Sequence, residues 1–198
     1  MNKKLLVSVL FCFLVFFLGT FLASAQVKDE DREKELATKL ESFLAEKGKL
    51  IVKEYYELGR LRHSGSGATV ELDAVVLYVV GEEDERVRGL RIKIEGGGTL
   101  KRSDSSFLNF EEIEGLSKAI DYVISLSEKW KAVQKDYAEV EFSTQGDFTI
   151  GFYQQGIKQK VFASSGRIGR VTARISNWEK LRSMKAMVDK GRNLLSEK

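Results

Sequence analysis

Proline is absent from all 198 residues, while cysteine and histidine occur once each and tryptophan twice. Each scarcity removes a class of architecture or chemistry. Without proline there is no stiff or proline-rich hinge, which favours continuous sheet and helix over domains joined by a linker. The only histidine, His63, lies in a Gly/Ser-rich loop, Arg62-His63-Ser64-Gly65-Ser66-Gly67. Neither Ser64 nor Ser66 sits in the strained Gly-x-Ser-x-Gly turn that a nucleophilic serine needs, so His63 reads as a loop histidine without a catalytic role. Zinc requires three or four Cys, His or acid ligands, and this chain is too poor in the first two for a histidine-rich site. Gly96-Gly97-Gly98 lacks a following Gly-Lys-Ser/Thr and an immediate helix, which argues against a phosphate-cradling loop. No catalytic residue, metal or cofactor is therefore expected.

What is present begins with an export signal. Met1-Asn2-Lys3-Lys4 is a short cationic start, Leu5 to Leu18 is apolar except for Ser8, and Ala23-Ser24-Ala25 is a small-x-small site. This pattern predicts a signal peptide over 1–25, cleaved after Ala25, and a single domain over 26–198 in the bacterial periplasm or outside the cell. The alternative is an uncleaved anchor, because the 21 residues from Leu5 to Ala25 suffice to cross a bilayer at about 1.5 Å per residue. Only that alternative brings the domain to a membrane. Cys12 lies in the middle of the apolar run, not after small residues at its end, which weighs against a lipoprotein.

Removal of 1–25 takes away the sole cysteine and five of the twelve phenylalanines, leaving 30 basic against 29 acidic side chains. An exported chain without cysteine has no disulfide framework and must rely on a buried core. Asn109, Asn177 and Asn193 all lack the hydroxyl residue of a glycosylation sequon, which again fits a bacterial envelope.

Along the mature chain, hydrophobic periodicity gives an order of elements. Leu36, Leu40, Phe43 and Leu44 predict a surface helix over Lys28 to Lys47, with Gly48 as its C-terminal glycine. Strands are expected from Leu50 to about Arg62, from Val70 to Val80 and from Val87 to Glu95, the last two as a hairpin whose second strand has one wet face. Asn109 and Glu112 then form a capping pair ahead of the stripe Ile113, Leu116, Ile120, Val123, Ile124 and Trp130. A second block follows: Tyr137 to Phe142, Phe148 to Tyr153, Val161-Phe162 and Arg170 to Ile175 as strands, then a helix capped by Ser176 with Leu181, Met184, Val188 and Leu195 as its stripe. The fold class is α+β, antiparallel sheet with helices packed on one face. It reads as a doubled ββββα unit (50–132 and 137–198) in which each block lays one helix across a sheet. That order resembles the single-strand-DNA-binding regulators of the Whirly, Pur and PC-four type. The resemblance lies in element order alone and implies a fold, while export argues against a chromosomal target.

Charge is distributed unevenly. Residues 26–136 carry 19 basic and 23 acidic groups, whereas 137–198 carry 11 basic and 6 acidic. Lys158, Lys160, Arg167, Arg170 and Arg174 concentrate the excess on consecutive strands and form the candidate anionic-ligand patch. Its expected partner is an anionic envelope component or an acidic protein; docking on the acidic half of this or another copy is the alternative use. The aromatics Tyr55, Tyr56, Tyr78, Phe142, Phe148, Phe152, Tyr153, Phe162 and Trp178 read mainly as core, against a stacking platform for bases or sugars. The acids cluster at helix starts and in the turn Glu82-Glu83-Asp84-Glu85, where the helix dipole or solvent already accounts for them. Two functions follow: a non-enzymatic binding module acting through this basic face, which the missing catalytic constellations favour, or a secreted hydrolase using a carboxylate pair brought together by the fold.

Overall fold

In a computed structural model of the chain, residues 38–63, 67–97, 102–166, 169–175 and 177–198 are described. The expected leader lies outside them, as does the predicted helix before Thr38. Two four-stranded antiparallel sheets follow one another, each a simple meander and each succeeded by a helix. The first contains β1 (Ile51–Arg62), β2 (Thr69–Val79), β3 (Val87–Glu95) and β4 (Ser103–Asn109). Preceding them is α1 (Lys39–Ala45), and following them a 3-10 turn (Phe110–Glu112) leads into α2 (Ile113–Trp130). The second contains β5 (Lys135–Ser143), β6 (Thr149–Gly156), β7 (Lys158–Ser165) and β8 (Val171–Ile175), followed by α3 (Trp178–Ser196). The α+β class and the doubled strand-to-helix order are thus present. Among the described residues no helix is long and apolar enough to cross a membrane.

The helices cross over. α2, the helix of the first block, lies against β5 and β6 of the second sheet, and α3 lies against β1 and β2 of the first. Trp130 of α2 meets Phe152 of β6 edge to face, ring centres 5.7 Å apart, and Ser127 O accepts from Gln159 Nε2 of β7 at 2.9 Å. At the other end, Arg88 of β3 donates to Leu195 O of α3 at 2.9 Å. One continuous core results, fed by the inner faces of both sheets and the apolar stripes of both helices. The sequence pattern suggested a helix on the sheet of its own block; each instead covers its neighbour's.

The outer face of the first sheet is closed at one end by α1. Leu40 is fully buried there with Val75 and Leu77. This helix begins at Lys39, inside the expected Lys28–Lys47 element, because Thr38 caps it. Thr38 has extended backbone (φ −67°, ψ 159°), its hydroxyl accepts from Glu41 N–H, and Glu41 reaches back to Thr38 N–H at 2.8 Å. A reciprocal cap of this kind starts a helix and cannot lie inside one. The other end is Ala45, with Glu46 in extended conformation; Gly48, at φ +80°, serves the turn beyond it.

Two further boundaries differ from the sequence reading. α3 is capped by Asn177, whose Oδ1 accepts from Lys180 N–H at 2.9 Å, one residue later than the expected Ser176. β4 carries no strand periodicity in the sequence, because Ser103-Asp104-Ser105-Ser106 offers none of the β-branched residues that mark strands. Its role is partly polar: Ser165 Oγ of β7 donates to Asp104 at 2.7 Å. The hydroxyl hydrogen of Ser165 being so used, Ser106 Oγ is the donor in its 2.7 Å contact with Ser165, and this buried chain ties the two sheets together.

Candidate anion-binding cleft

Cross-strand register decides which of the five candidate cations meet. In the β7–β8 pair Phe162 faces Arg174 and Ser164 faces Thr172, so Lys158, Lys160, Phe162 and Ser164 share one sheet face with Thr172 and Arg174. That face is the outer one, turned away from the core formed by Val161, Ala163, Val171, Ala173 and Ile175. Lys160 is thereby the diagonal neighbour of Arg174, a position about 7–8 Å away that long side chains bridge easily. Lys158 lies one step further along β7 and is exposed, like Lys160 and Arg174. Arg170 is on the same face, four residues and about 13 Å from Arg174, and its guanidinium reaches Thr149 Oγ1 at 3.4 Å. Arg167 lies outside the described residues. The structure therefore gathers Lys158, Lys160 and Arg174 and sets Arg170 apart.

Lys160 and Arg174 border a cleft of about 390 Å³ lined also by His63, Gln159, Val161, Ile175, Asn177 and Trp178. Strand length creates it. β8 ends at Ile175, opposite Val161, so the start of β7 extends beyond its neighbour and the chain turns away into α3. The turn places Asn177 and Trp178 on one wall. His63, just past the end of β1, closes the other, its backbone held in the β1–β2 connection by bonds to Ala68 O (2.8 Å) and from Gly67 N–H (3.1 Å).

The electrostatics of the cleft favour anions. No carboxylate among the described residues lies within ion-pair distance of Lys158, Lys160 or Arg174, in contrast to Arg91, paired with Asp73 at 2.7 Å, or Lys185, paired with Asp189 at 2.9 Å. Lys160 Nζ lies 5.8 Å above the Tyr153 ring, a contact that leaves its hydrogen-bond donors available. The first turn of α3 adds the positive end of a helix dipole beside Asn177. Trp178 packs edge to face on Phe152, with centres 5.6 Å apart and planes at 75°, which fixes the indole against the core while part of it remains accessible. The cations are legible in the sequence, whereas Trp178, Asn177, Gln159 and His63 are not legible as their neighbours; only the early end of β8 brings them in.

Carboxylates offer less. Glu83 and Asp84 border a second cleft, also about 390 Å³, with Arg86, Arg88 and Lys198. The backbone N–H of Gly81, 3.0 Å from Glu83 Oε1, holds that carboxyl below its ordinary range. Hydrogen bonds do the same for Glu54 (from Tyr56), Glu95 (from Lys93), Glu111 (from Lys39) and Glu114 (from Lys118). A general acid of the glycosidase kind needs the opposite displacement. Among the described residues no three His, Cys, Asp or Glu are placed to hold a metal ion. Of the nine aromatics weighed as core or platform, Phe148, Phe152 and Phe162 are buried, Tyr56, Tyr78, Phe142 and Trp178 pack partly against the core, Tyr153 is half-buried and stacked on Tyr137 with centres 6.2 Å apart, and Tyr55 is exposed with Arg91 over its ring at 4.4 Å. No family model, curated protein or solved structure matches this chain.

Proposed function

We propose that the protein is an exported, non-enzymatic binding module that holds an anionic partner on the β7–β8 face of its second sheet. The observation that carries this reading is the pair Lys160 and Arg174, neighbours on one face, with no carboxylate of the described residues within ion-pair distance and bordering a cleft. Uncompensated charge on a rigid sheet attracts anions at a distance and keeps its donors for the ligand. Export rests on the pattern of residues 1–25, and intact mass of the protein recovered from its native host is expected to show a chain starting at Gln26.

The binding test uses immobilised linear polyphosphate as a polyanion of defined chemistry. Affinity is expected to fall at least about tenfold in the triple variant K158E/K160E/R174E and to weaken steeply with added salt. These side chains are exposed, so the variant should keep the circular dichroism of the parent. Unchanged affinity in a folded variant would remove the face from consideration.

A further inference from the structure

Resting on the reading of the β7–β8 face as anion-binding, we infer that the cleft itself takes a phosphate monoester whose carbon portion carries a flat ring. Two cations alone would serve any anion. The remaining walls narrow the choice.

The guanidinium of Arg174 is a planar fork of donors that matches two oxygens of a phosphate, and the ammonium of Lys160, diagonal to it across β7 and β8, supplies a mobile second charge. Beyond this charged rim the lining passes round the end of the sheet to the almost fully buried Val161 and Ile175 and to the part-exposed Trp178. That indole is immobilised through a chain of edge-to-face contacts, Trp178 on Phe152 at 5.6 Å and Phe152 on Trp130 at 5.7 Å. A rigid, part-exposed indole loses little freedom when another ring packs on it, whereas inorganic phosphate would leave it wet. Two polar atoms of the walls are already engaged. Asn177 Oδ1 caps α3, and Gln159 Nε2 donates to Ser127 O and to Gln154 Oε1, both at 2.9 Å. These bonds help fix the shape of the cleft. Its volume, about 390 Å³, lies at the small end of the range for low-molecular-weight ligands, enough for one phosphate and one ring system.

The experiment is a ¹⁵N–¹H NMR titration of the mature protein with phenyl phosphate, inorganic phosphate and phenol. The chain has two tryptophans, so two indole N–H signals are read. Phenyl phosphate is expected to shift the Trp178 signal saturably while that of Trp130, on the far side of Phe152, stays in place. Inorganic phosphate and phenol should each bind at least about tenfold more weakly. Arg174→Gln and Lys160→Gln, whose folding the same spectra verify, should each weaken phenyl phosphate severalfold or more. Equal affinity for inorganic and phenyl phosphate overturns the ring specificity, and a stationary Trp178 signal, or an Arg174→Gln variant with parental affinity, overturns the site. Polyphosphate binding that depends on Lys158, Lys160 and Arg174 without any response to phenyl phosphate would sink this inference and leave the broader reading intact; absence of both would sink the broader reading as well.

Discussion

Asp189 shows how a single side chain can fasten two elements. It projects from α3 toward α2, where Ser117 Oγ donates to it at 2.6 Å, and Lys185, one turn earlier, donates at 2.9 Å while also reaching Asp121 of α2 at 3.3 Å. Burial alone would push the Asp189 carboxyl up, but the bonds from Ser117 and Lys185 outweigh it and the net displacement is downward from 3.8. A carboxyl held low in the folded state contributes stability that is present above its unfolded value and is lost as pH falls through the folded value. Lys185, raised above 10.5 chiefly by its bond to Asp189, contributes stability that is lost only as pH rises through its folded value, so the network is complete across neutral pH. With the Asp189 side chain 41% exposed, solvent screening reduces what the network contributes. Asp189→Asn is therefore expected to cost about 1 kcal/mol at pH 7, about 2–4 °C in melting temperature for a domain of this size. The difference should shrink below pH 4; thermal melts of both proteins at pH 7 and pH 3 decide it, and a constant difference would mean that the carboxylate charge is not what matters. No sequence rule pairs Ser117 with Asp189, because the contact exists only through the crossing of α2 and α3. Asn177 was more accessible, since it and Ser176 are both good caps and only the backbone of the turn chooses between them.

At the level of elements, the stripes of α2 and α3 and the hairpin of β2 and β3 were legible because apolar residues recur there with the periods of 3.6 and 2. A stripe states that a helix has a face to bury; it carries no information about which sheet receives it. The glycine inside α3 becomes intelligible only with the partner known. Gly191 costs its helix about 1 kcal/mol relative to alanine. In the fold it sits directly on the first sheet, where an added Cβ would lie 2.7 Å from both Leu58 Cδ1 and Leu90 Cδ2. Gly191→Ala trades helix propensity against this contact and should stay within about 1 kcal/mol of the parent. Gly191→Leu places a whole side chain where neither leucine can retreat, since Leu90 is fully buried and Leu58 nearly so. It should destabilise by about 1–3 kcal/mol or more in urea titrations. A well-tolerated leucine would show that α3 does not rest on the first sheet at this point.

For the molecule as a whole, the basic excess of the second block was visible in the sequence, whereas the cleft was not. Its walls come from the end of β1, the start of β7, the end of β8 and the first turn of α3, segments that only the interlocking of two blocks brings together. The same interlocking sets the cooperativity of the fold. Were each block a self-contained sheet and helix, either would fold alone. Instead α3 buries Leu181, Met184, Val188 and Leu195 against a core that includes the first sheet, whose inner face of Val70, Leu72, Leu90 and Ile92 would otherwise meet water. At about 1.5–3 kcal/mol per large apolar side chain, the four residues of α3 alone are worth about 6–12 kcal/mol, comparable to the entire stability of a typical domain, about 5–15 kcal/mol. Neither block retains a margin without the other. Residues 38–132 and 133–198, produced as separate chains, are each expected to lack a cooperative thermal transition and the dispersed amide spectrum of the whole. Mixed in equal amounts, they should recover both, because the crossing contacts do not require a continuous backbone between α2 and β5. A cooperative melt from residues 38–132 alone would show that the first sheet finds its own cover, and the exchange of helices would then be a detail of packing, not the basis of the fold.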